Sequence, residues 1–359
     1  MAQKIVYWLL ITLVISLGFG QLLRFDLFGI SLFIHDILVI LILLMQAPTI
    51  VMSPKKDHQG LFDQTHSAFS FKLMSLALLI SSVYALTQYH VSLLLVPSFY
   101  MFRLLAYVGL YLMLQKSKIH IPKNIFMISA MIALLIGLIQ YTFLPDMRIF
   151  QFLGWDDHLS RLTLPHFDPT FSAVMMSLQA LSLWGIAPFL FIGILLTYAR
   201  SVWVSLIITA LSFVRPAKYL LIVPVFIVCI MLLPKRFGEG TNLLRTFSIT
   251  SRLESDVSYI AKYNWDLVIG RGLNTLILDA PESIVASHAT GPNNSYLYLL
   301  ATTGILGLVG WGMFMQTLYS RSTHKPMLAF FFVASLFNNV MFYSFALIWV
   351  LLIESDIVA

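Results

Sequence analysis

Charge is what this chain has least of. Asp, Glu, Lys and Arg make up 11% of its 359 residues, where a soluble domain carries about 25%, so there is too little ionic surface to face water all round. A single cysteine, Cys229, excludes a disulfide framework and a thiolate metal site. Walker, Gly-x-Ser-x-Gly and His-Glu-x-x-His motifs are all missing. The Gly-x-Gly of GRGLN (270–274) follows no buried strand and reads as a turn rather than a dinucleotide fingerprint. Asp57, His58, Asp63 and His66 share one short, Lys-rich loop and are not read as metal ligands. The net charge of +6 is spread over short loops, which excludes a nucleic-acid surface as its reason. No internal repeat and no low-complexity tract is visible.

What the chain does have is apolar sequence: 59% hydrophobic residues and a mean hydropathy of +0.87. A bilayer core takes roughly 20 apolar residues per helix, so the composition predicts an all-α, polytopic transmembrane helix bundle of about eleven spans. The whole chain, 1–359, is expected to form a single integral membrane domain. Candidate spans cover 5–23, 27–51, 73–89, 93–115, 124–144, 170–183, 185–199, 201–214, 219–233, 293–319 and 326–353. The first is read as a retained helix, because no small-residue cleavage site follows it. With Lys4 inside, the inner loops hold ten Lys or Arg and the short outer ones only Arg24, Arg148, Arg161 and Arg200, as the positive-inside bias requires. Three short runs within 170–214 are separated by Trp184-Gly185 and by Arg200; interrupted helices of this kind line cavities with polar groups.

Two segments are expected to be long and polar on the outer face: 145–169, and a large loop at 234–292 between the ninth and tenth spans. Within the second, Leu253, Val257, Ile260 and Ala261 fall at helical spacing and predict an amphipathic surface helix. Arg200, in TYARSVW, sits between two apolar runs, where a guanidinium costs about 2.5–3.5 kcal/mol at mid-bilayer; it belongs at a water-filled cavity or snorkelling to the interface. With Arg161 and Arg252 it is expected to place three guanidiniums on one face, a suitable set for phosphate because the planar fork donates two hydrogen bonds at once. Asp168-Pro169 reads as an N-cap and first-turn pair. His35 and Asp36 are expected eight or nine residues into the second span, and Arg103 ten into the fourth. Buried ionisable groups pair, so Asp36 with Arg103 is read as a structural ion pair, remote from any large polar substrate.

The order of these features carries a resemblance. An outer Arg-x(5)-Phe-Asp-Pro opens a span, and Ala-Arg-Ser breaks two short ones. Ser-Arg-Leu-Glu and Gly-Arg-Gly share one large loop, and Asn-Ser-Tyr-Leu-x(5)-Thr-Gly-Ile-Leu-Gly follows it. The arrangement resembles the O-antigen polymerase and O-antigen ligase superfamily, membrane glycosyltransferases that take glycans from a polyprenyl diphosphate carrier. Residue by residue, Arg161 and Phe167-Asp168-Pro169 look like the family's Arg and Gly-x-Phe-x-Asp-Pro-Asn stretch, with Thr170 where Asn is common. Ala199-Arg200 looks like its Ser-Arg pair. Asn294, Leu297, Gly304 and Gly307 look like its His-Asn-x-x-Leu and Gly-x-x-Gly positions, with Asn293 where the His stands.

That resemblance implies a metal-independent glycosyltransferase, without cofactor, facing the extracytoplasmic side of the cell (inner) membrane. Its partners would be the bilayer, a polyprenyl-diphosphate-linked oligosaccharide, a chain-length regulator and a flippase; no nucleic acid is implied. Arg200 and His288 are the expected catalytic residues, with His166 and Asp168 as rival bases. Arg161, Arg252, Arg271, Asp168, Asn293 and Asn294 are expected to bind diphosphate or glycan. Asn293 at the His position favours a polymerase of surface-polysaccharide repeat units over a ligase that moves finished glycan to a lipid or protein. A transporter or flippase of a lipid-linked solute is the reading from another class, discriminated by repeat symmetry and coupling-ion acids on several spans.

Overall fold

The computed structural model describes residues 2–27, 29–52, 61–117, 119–153, 155, 158–213, 224, 226–234, 241–243, 247–279, 291–355 and 357–358. About 75% of the structure is helical. The helices are α1 Ala2–Leu17, α2 Ile34–Met52, α3 Leu61–Gln88, α4 Leu95–Leu114, α5 Lys123–Phe143, α6 Pro169–Ser182, α7 Ala187–Leu196 and α8 Arg200–Phe213. They continue with α9 Phe247–Tyr263, the single turn α10 Asp266–Ile269, α11 Ser295–Arg321, α12 Lys325–Ala334 and α13 Ser344–Ile353. Among the described residues the only sheet is an antiparallel hairpin of β1 Arg24–Leu27 and β2 Ile30–Phe33.

Four helical segments are long and apolar enough to cross a membrane: 69–88, 91–114, 123–143 and 295–321. These make the chain a membrane protein, because an apolar helix satisfies its own backbone inside lipid. Side chains such as Leu44, Phe102, Leu135 and Phe143 are exposed on the outside of the bundle, as a lipid surround allows. A fifth candidate is the pair Pro169–Ser182 and Trp184–Leu196, bent by 118°. Among the described residues four segments, or five with the bent pair, are long and apolar enough to cross, so the expected number of about eleven spans is not confirmed. The segment expected to be a span over 27–51 starts instead as a hairpin, and its helix begins at Ile34. His35 and Asp36 therefore stand in the first turn of α2 rather than deep inside a span. The reason is local: Asp36, at the third helical position, accepts the Phe33 N–H at 3.0 Å, one half of a capping box that fixes the start there. The run 326–353 is likewise two ten-residue helices, α12 and α13, separated by an irregular stretch at 335–343.

Helix association in lipid gains little from burial of apolar surface, since the surround is as apolar as the interior; close packing at small residues and hydrogen bonds do the work. Helix α11 packs most extensively on α3, and Gly310 makes that approach possible, since a Cβ there would lie 2.9 Å from the Met74 backbone nitrogen. Six residues earlier the helix is broken: Gly304 adopts φ 69° and ψ −172°. The GRG turn fills the break. Arg271 N–H donates to Ala301 O at 2.9 Å and Gly272 N–H to Thr302 O at 2.8 Å, so carbonyls freed by the kink find partners. Gly270, at φ 87°, lies against the Thr303 and Gly304 nitrogens. Helices α12 and α13 both pack on α6, α12 also on α8 and α13 also on α4, which brings the irregular 335–343 stretch to the start of α6. On α9, Leu253, Val257 and Ile260 are exposed while Arg252 and Asp256 turn toward the protein, an orientation that suits an apolar surround.

Replacing Gly304 with Ala forces a side chain into a positive-φ position, with its Cβ 2.4 Å from Val268 O. The expected cost is about 1–3 kcal/mol, read as a lowered melting temperature in detergent micelles; an unchanged melt would show that the kink is not required.

Candidate functional site

Where the helices break, they leave a cavity of about 330 Å³. Helix α4 supplies Tyr100, Arg103, Leu104 and Tyr107; the start of α6 supplies Asp168, Thr170 and Phe171; α9 supplies Arg252. The loop segments add Leu273-Asn274 and Gly291-Pro292-Asn293, the break between α12 and α13 adds Asn338, Asn339 and Phe342, and Ser344 opens α13. In so apolar a chain this is a concentration of amides, phenols and charges.

Three helix N-termini meet at this cavity, each the positive end of its helix dipole. Asp168 caps α6, its Oδ1 accepting Phe171 N–H at 2.8 Å, with Pro169 at the first helical position. Asn294 caps α11, accepting Tyr296 and Leu297 N–H at 2.9 and 3.2 Å. Helix α13 follows Tyr343, which provides no side-chain cap. The irregular backbone at 335–343 is held by the same neighbourhood. Ser295 N–H donates to Ser335 O at 2.9 Å and its hydroxyl to Asn338 O at 3.0 Å, while Arg252 Nη1 donates to Phe337 O at 3.2 Å. Asn338 Nδ2 reaches Ser201 Oγ at 3.1 Å. Non-helical backbone is tolerated at membrane depth where protein satisfies it and it lines a cavity.

The charges come in near balance. Arg103 Nη2 lies 2.9 Å from Asp36 Oδ2 and also donates to Ser31 O. Its guanidinium stacks 4.9 Å from the Tyr100 ring centroid and 5.3 Å from that of Phe33. Tyr107 Oη donates to Asp36 Oδ1. Asp256, one turn beyond Arg252 on α9, accepts the backbone N–H groups of Asn293 and Asn294, and burial holds its carboxyl above the usual range. Asp168 keeps an accessible carboxylate, with His158 Nε2 3.9 Å from its Oδ2. The cavity can therefore offer donors and acceptors to many hydroxyls, with positive helix ends and two guanidiniums for an anionic group.

The residues expected from the sequence divide among different roles. Arg252, Asp168 and Asn293 line the cavity. Arg103 does too, so the Asp36–Arg103 pair is not remote from the site but forms part of its wall. Arg161 and Arg200 are absent from that wall, so the three guanidiniums do not share this cavity. Arg161, nearly buried, gives its Nε to Thr197 O at 2.8 Å, the carbonyl at the C-terminus of α7. Arg200 gives Nη1 to Leu243 O at 2.7 Å. Both guanidiniums serve carbonyls that helix ends and loops leave over. Arg271 is likewise engaged elsewhere. It bonds Asp266, Asp279, Tyr89 and Gln88 at 3.0–3.3 Å and fastens the GRG turn to the end of α3. Asn294 is spent on its cap. His166 is buried beneath the site, its Nδ1 2.7 Å from Tyr343 Oη. His288 lies outside the described residues, as do the side chains of the Asp57-to-His66 set. The sequence reading missed Tyr100, Asn274, Tyr298, Asn338 and Asn339. Two adjacent Asn in the apolar run 326–353 were the available signal. Neither a protein-family model nor a curated protein matches the chain.

Removing one partner of a buried ion pair strands the other, at about 3–5 kcal/mol. Asp36→Ala is thus expected to lower the melting temperature sharply, and the double replacement Asp36→Leu with Arg103→Met to restore much of it. Burial pushes His166 down from 6.5 to about 3. The unfolded chain takes up this proton near pH 6.5, so the contribution to stability is complete above that pH and is lost as pH falls toward 3. His166→Phe should flatten that part of a melting-temperature profile; a wild-type slope in the variant would remove His166 as its source.

Proposed function

We propose that the chain is a membrane glycosyltransferase that joins polyprenyl-diphosphate-linked oligosaccharide units into a surface polysaccharide, at the extracytoplasmic face of the cell membrane. One observation carries the reading: a polar cavity inside an apolar bundle combines two guanidiniums, three helix N-termini, four Asn and one half-buried carboxylate. Arg252, Arg103 and the helix ends suit a diphosphate, whose negative charge grows as it leaves. Asn274, Asn293, Asn338 and Asn339 each carry a donor and an acceptor, the combination sugar hydroxyls require.

In this reading an acceptor hydroxyl attacks the anomeric carbon of the carrier-linked glycan. The new carbon–oxygen bond forms as the bond to diphosphate breaks, and the hydroxyl proton passes to a base. Asp168 is assigned that role, as the carboxylate on the wall of the cavity; His288 is the rival that the sequence supplies. Arg252 stays with the leaving diphosphate. Arg252 takes the place expected of Arg200 at the diphosphate, because Arg252 lines the cavity and Arg200 does not.

Asn caps helices about as well as Asp. Asp168→Asn therefore separates capping from proton transfer: polymer should be lost with the melting temperature within a few degrees of wild type. Arg252→Lys keeps charge without the fork and should lower turnover by at least about tenfold. Gel analysis of surface glycan after deletion tests the reaction class. Single-repeat products mark a polymerase, free undelivered polymer marks a ligase, and an unchanged glycan pattern rejects both.

A further inference from the structure

An apolar crevice of about 350 Å³ lies between α3 and α4, lined by Leu79, Ser82, Val83, Leu86, Leu94 and Met101 among others, and closed at one end by Gly272, Leu273 and Thr275. Both walls belong to segments long and apolar enough to cross a membrane. Leu79, Val83 and Leu86 are exposed on the outer surface of α3, and Val91 and Leu95 on that of the neighbouring wall, so the crevice opens on the side that meets lipid. Ser82 Oγ reaches Met101 Sδ across it at 3.4 Å, which shows how near the two walls stand.

What distinguishes this crevice is its inner end. Leu273, only 6% exposed, lines both the crevice and the polar cavity. Helix α4 serves both sides as well, turning Met101 to the crevice and Tyr100, Arg103 and Leu104 to the cavity. The GRG turn fixes that shared wall. Gly272, at φ 98°, seats it 3.1 Å from Ala85 Cβ, measured from where a Cβ of its own would stand, and the Arg271 and Gly272 N–H groups tie it to the broken α11. The apolar groove beside Trp311, Met315 and Phe332 is of similar size, about 340 Å³, yet shares no described lining residue with the cavity.

We infer that the crevice between α3 and α4 receives the apolar chain of an amphiphile whose diphosphate headgroup occupies the cavity, with Leu273 as the threshold between the two. The inference rests on the reading of the cavity as a diphosphate site. It adds the direction of entry, sideways from the bilayer. An apolar chain finds an apolar slot that stays in contact with lipid, while its anionic head meets Arg103, Arg252 and the positive helix ends without either part crossing an unlike environment. The slot falls within the size range of small-molecule sites, about 300–1,000 Å³.

The test uses the full chain in lipid nanodiscs, titrated with inorganic pyrophosphate and with farnesyl diphosphate. Farnesyl diphosphate is expected to bind at least about tenfold more tightly than pyrophosphate, a difference of about 1.4 kcal/mol. Ser82→Phe and Ser98→Phe fill the crevice from opposite walls. Each should erase most of that advantage while pyrophosphate binding stays within about twofold; two positions guard against a variant that fails to fold. An advantage that survives in both Phe variants, or its absence in the wild type, overturns the crevice as the chain's site. Arg252→Gln should weaken both ligands alike; if it weakens neither, the headgroup reading fails, separately from the crevice.

Discussion

Backbone N–H and C=O groups have no partner in hydrocarbon, and this chain breaks its helices where such groups are most costly to leave unpaired. Each break is met by a particular donor. At Gly304 the Arg271 and Gly272 amides take the freed carbonyls of Ala301 and Thr302. At the end of α7, Arg161 and the Trp203 indole take Thr197 and Ile194 carbonyls. Across 335–343, Ser295 and Arg252 take those of Ser335, Asn338 and Phe337. Two of these repaired segments also line the polar cavity: the chain just after the GRG turn, through Leu273 and Asn274, and the 335–343 stretch, through Asn338, Asn339 and Phe342.

The same economy explains why so many of the arginines are not at the site. A guanidinium has five donors and can serve acceptors of several kinds: Arg161 and Arg200 hold the Thr197 and Leu243 carbonyls, and Arg271 holds the Asp266 and Asp279 carboxylates. Those left facing the cavity, Arg103 and Arg252, each stand near a carboxylate, Asp36 beside the first and Asp256 one helical turn from the second. The cavity is accordingly rich in hydrogen-bonding groups without a large excess of either charge. Any anionic ligand is met by guanidiniums already held in place and by helix ends, which need no reorganisation when charge develops.

Several parts of this arrangement were legible beforehand, for identifiable reasons. Composition reports on solvent, so membrane character follows from 11% charged residues. The Asp168-Pro169 cap is local, set by a side chain three residues from the amide it accepts, and local chemistry survives any tertiary context. The pairing of Asp36 with Arg103 followed from the cost of stranding either charge in an apolar chain. Hydropathy averages over about 19 residues, which is why it passed over the hairpin at 24–33 and the break at 335–343. It smoothed Asn338 and Asn339 into a span, although an adjacent pair of amides in such a run is itself a sign of a break.

What the sequence determined alone is therefore the medium, the helical class and the helix start fixed by Asp168, because each depends on composition or on contacts within a turn. Only the tertiary structure decided which arginines face the cavity. Arg161, Arg200, Arg252 and Arg271 are chemically alike, and what separates them is where the packing of distant segments puts their acceptors: the Phe337 carbonyl that Arg252 holds lies beside Asn338 in the cavity wall, whereas Thr197, Leu243 and the Asp266 and Asp279 carboxylates do not line the cavity. It also decided that Leu273 stands between a polar cavity and an apolar crevice, since that position arises from a GRG turn seated in the kink of α11, roughly thirty residues further along the chain.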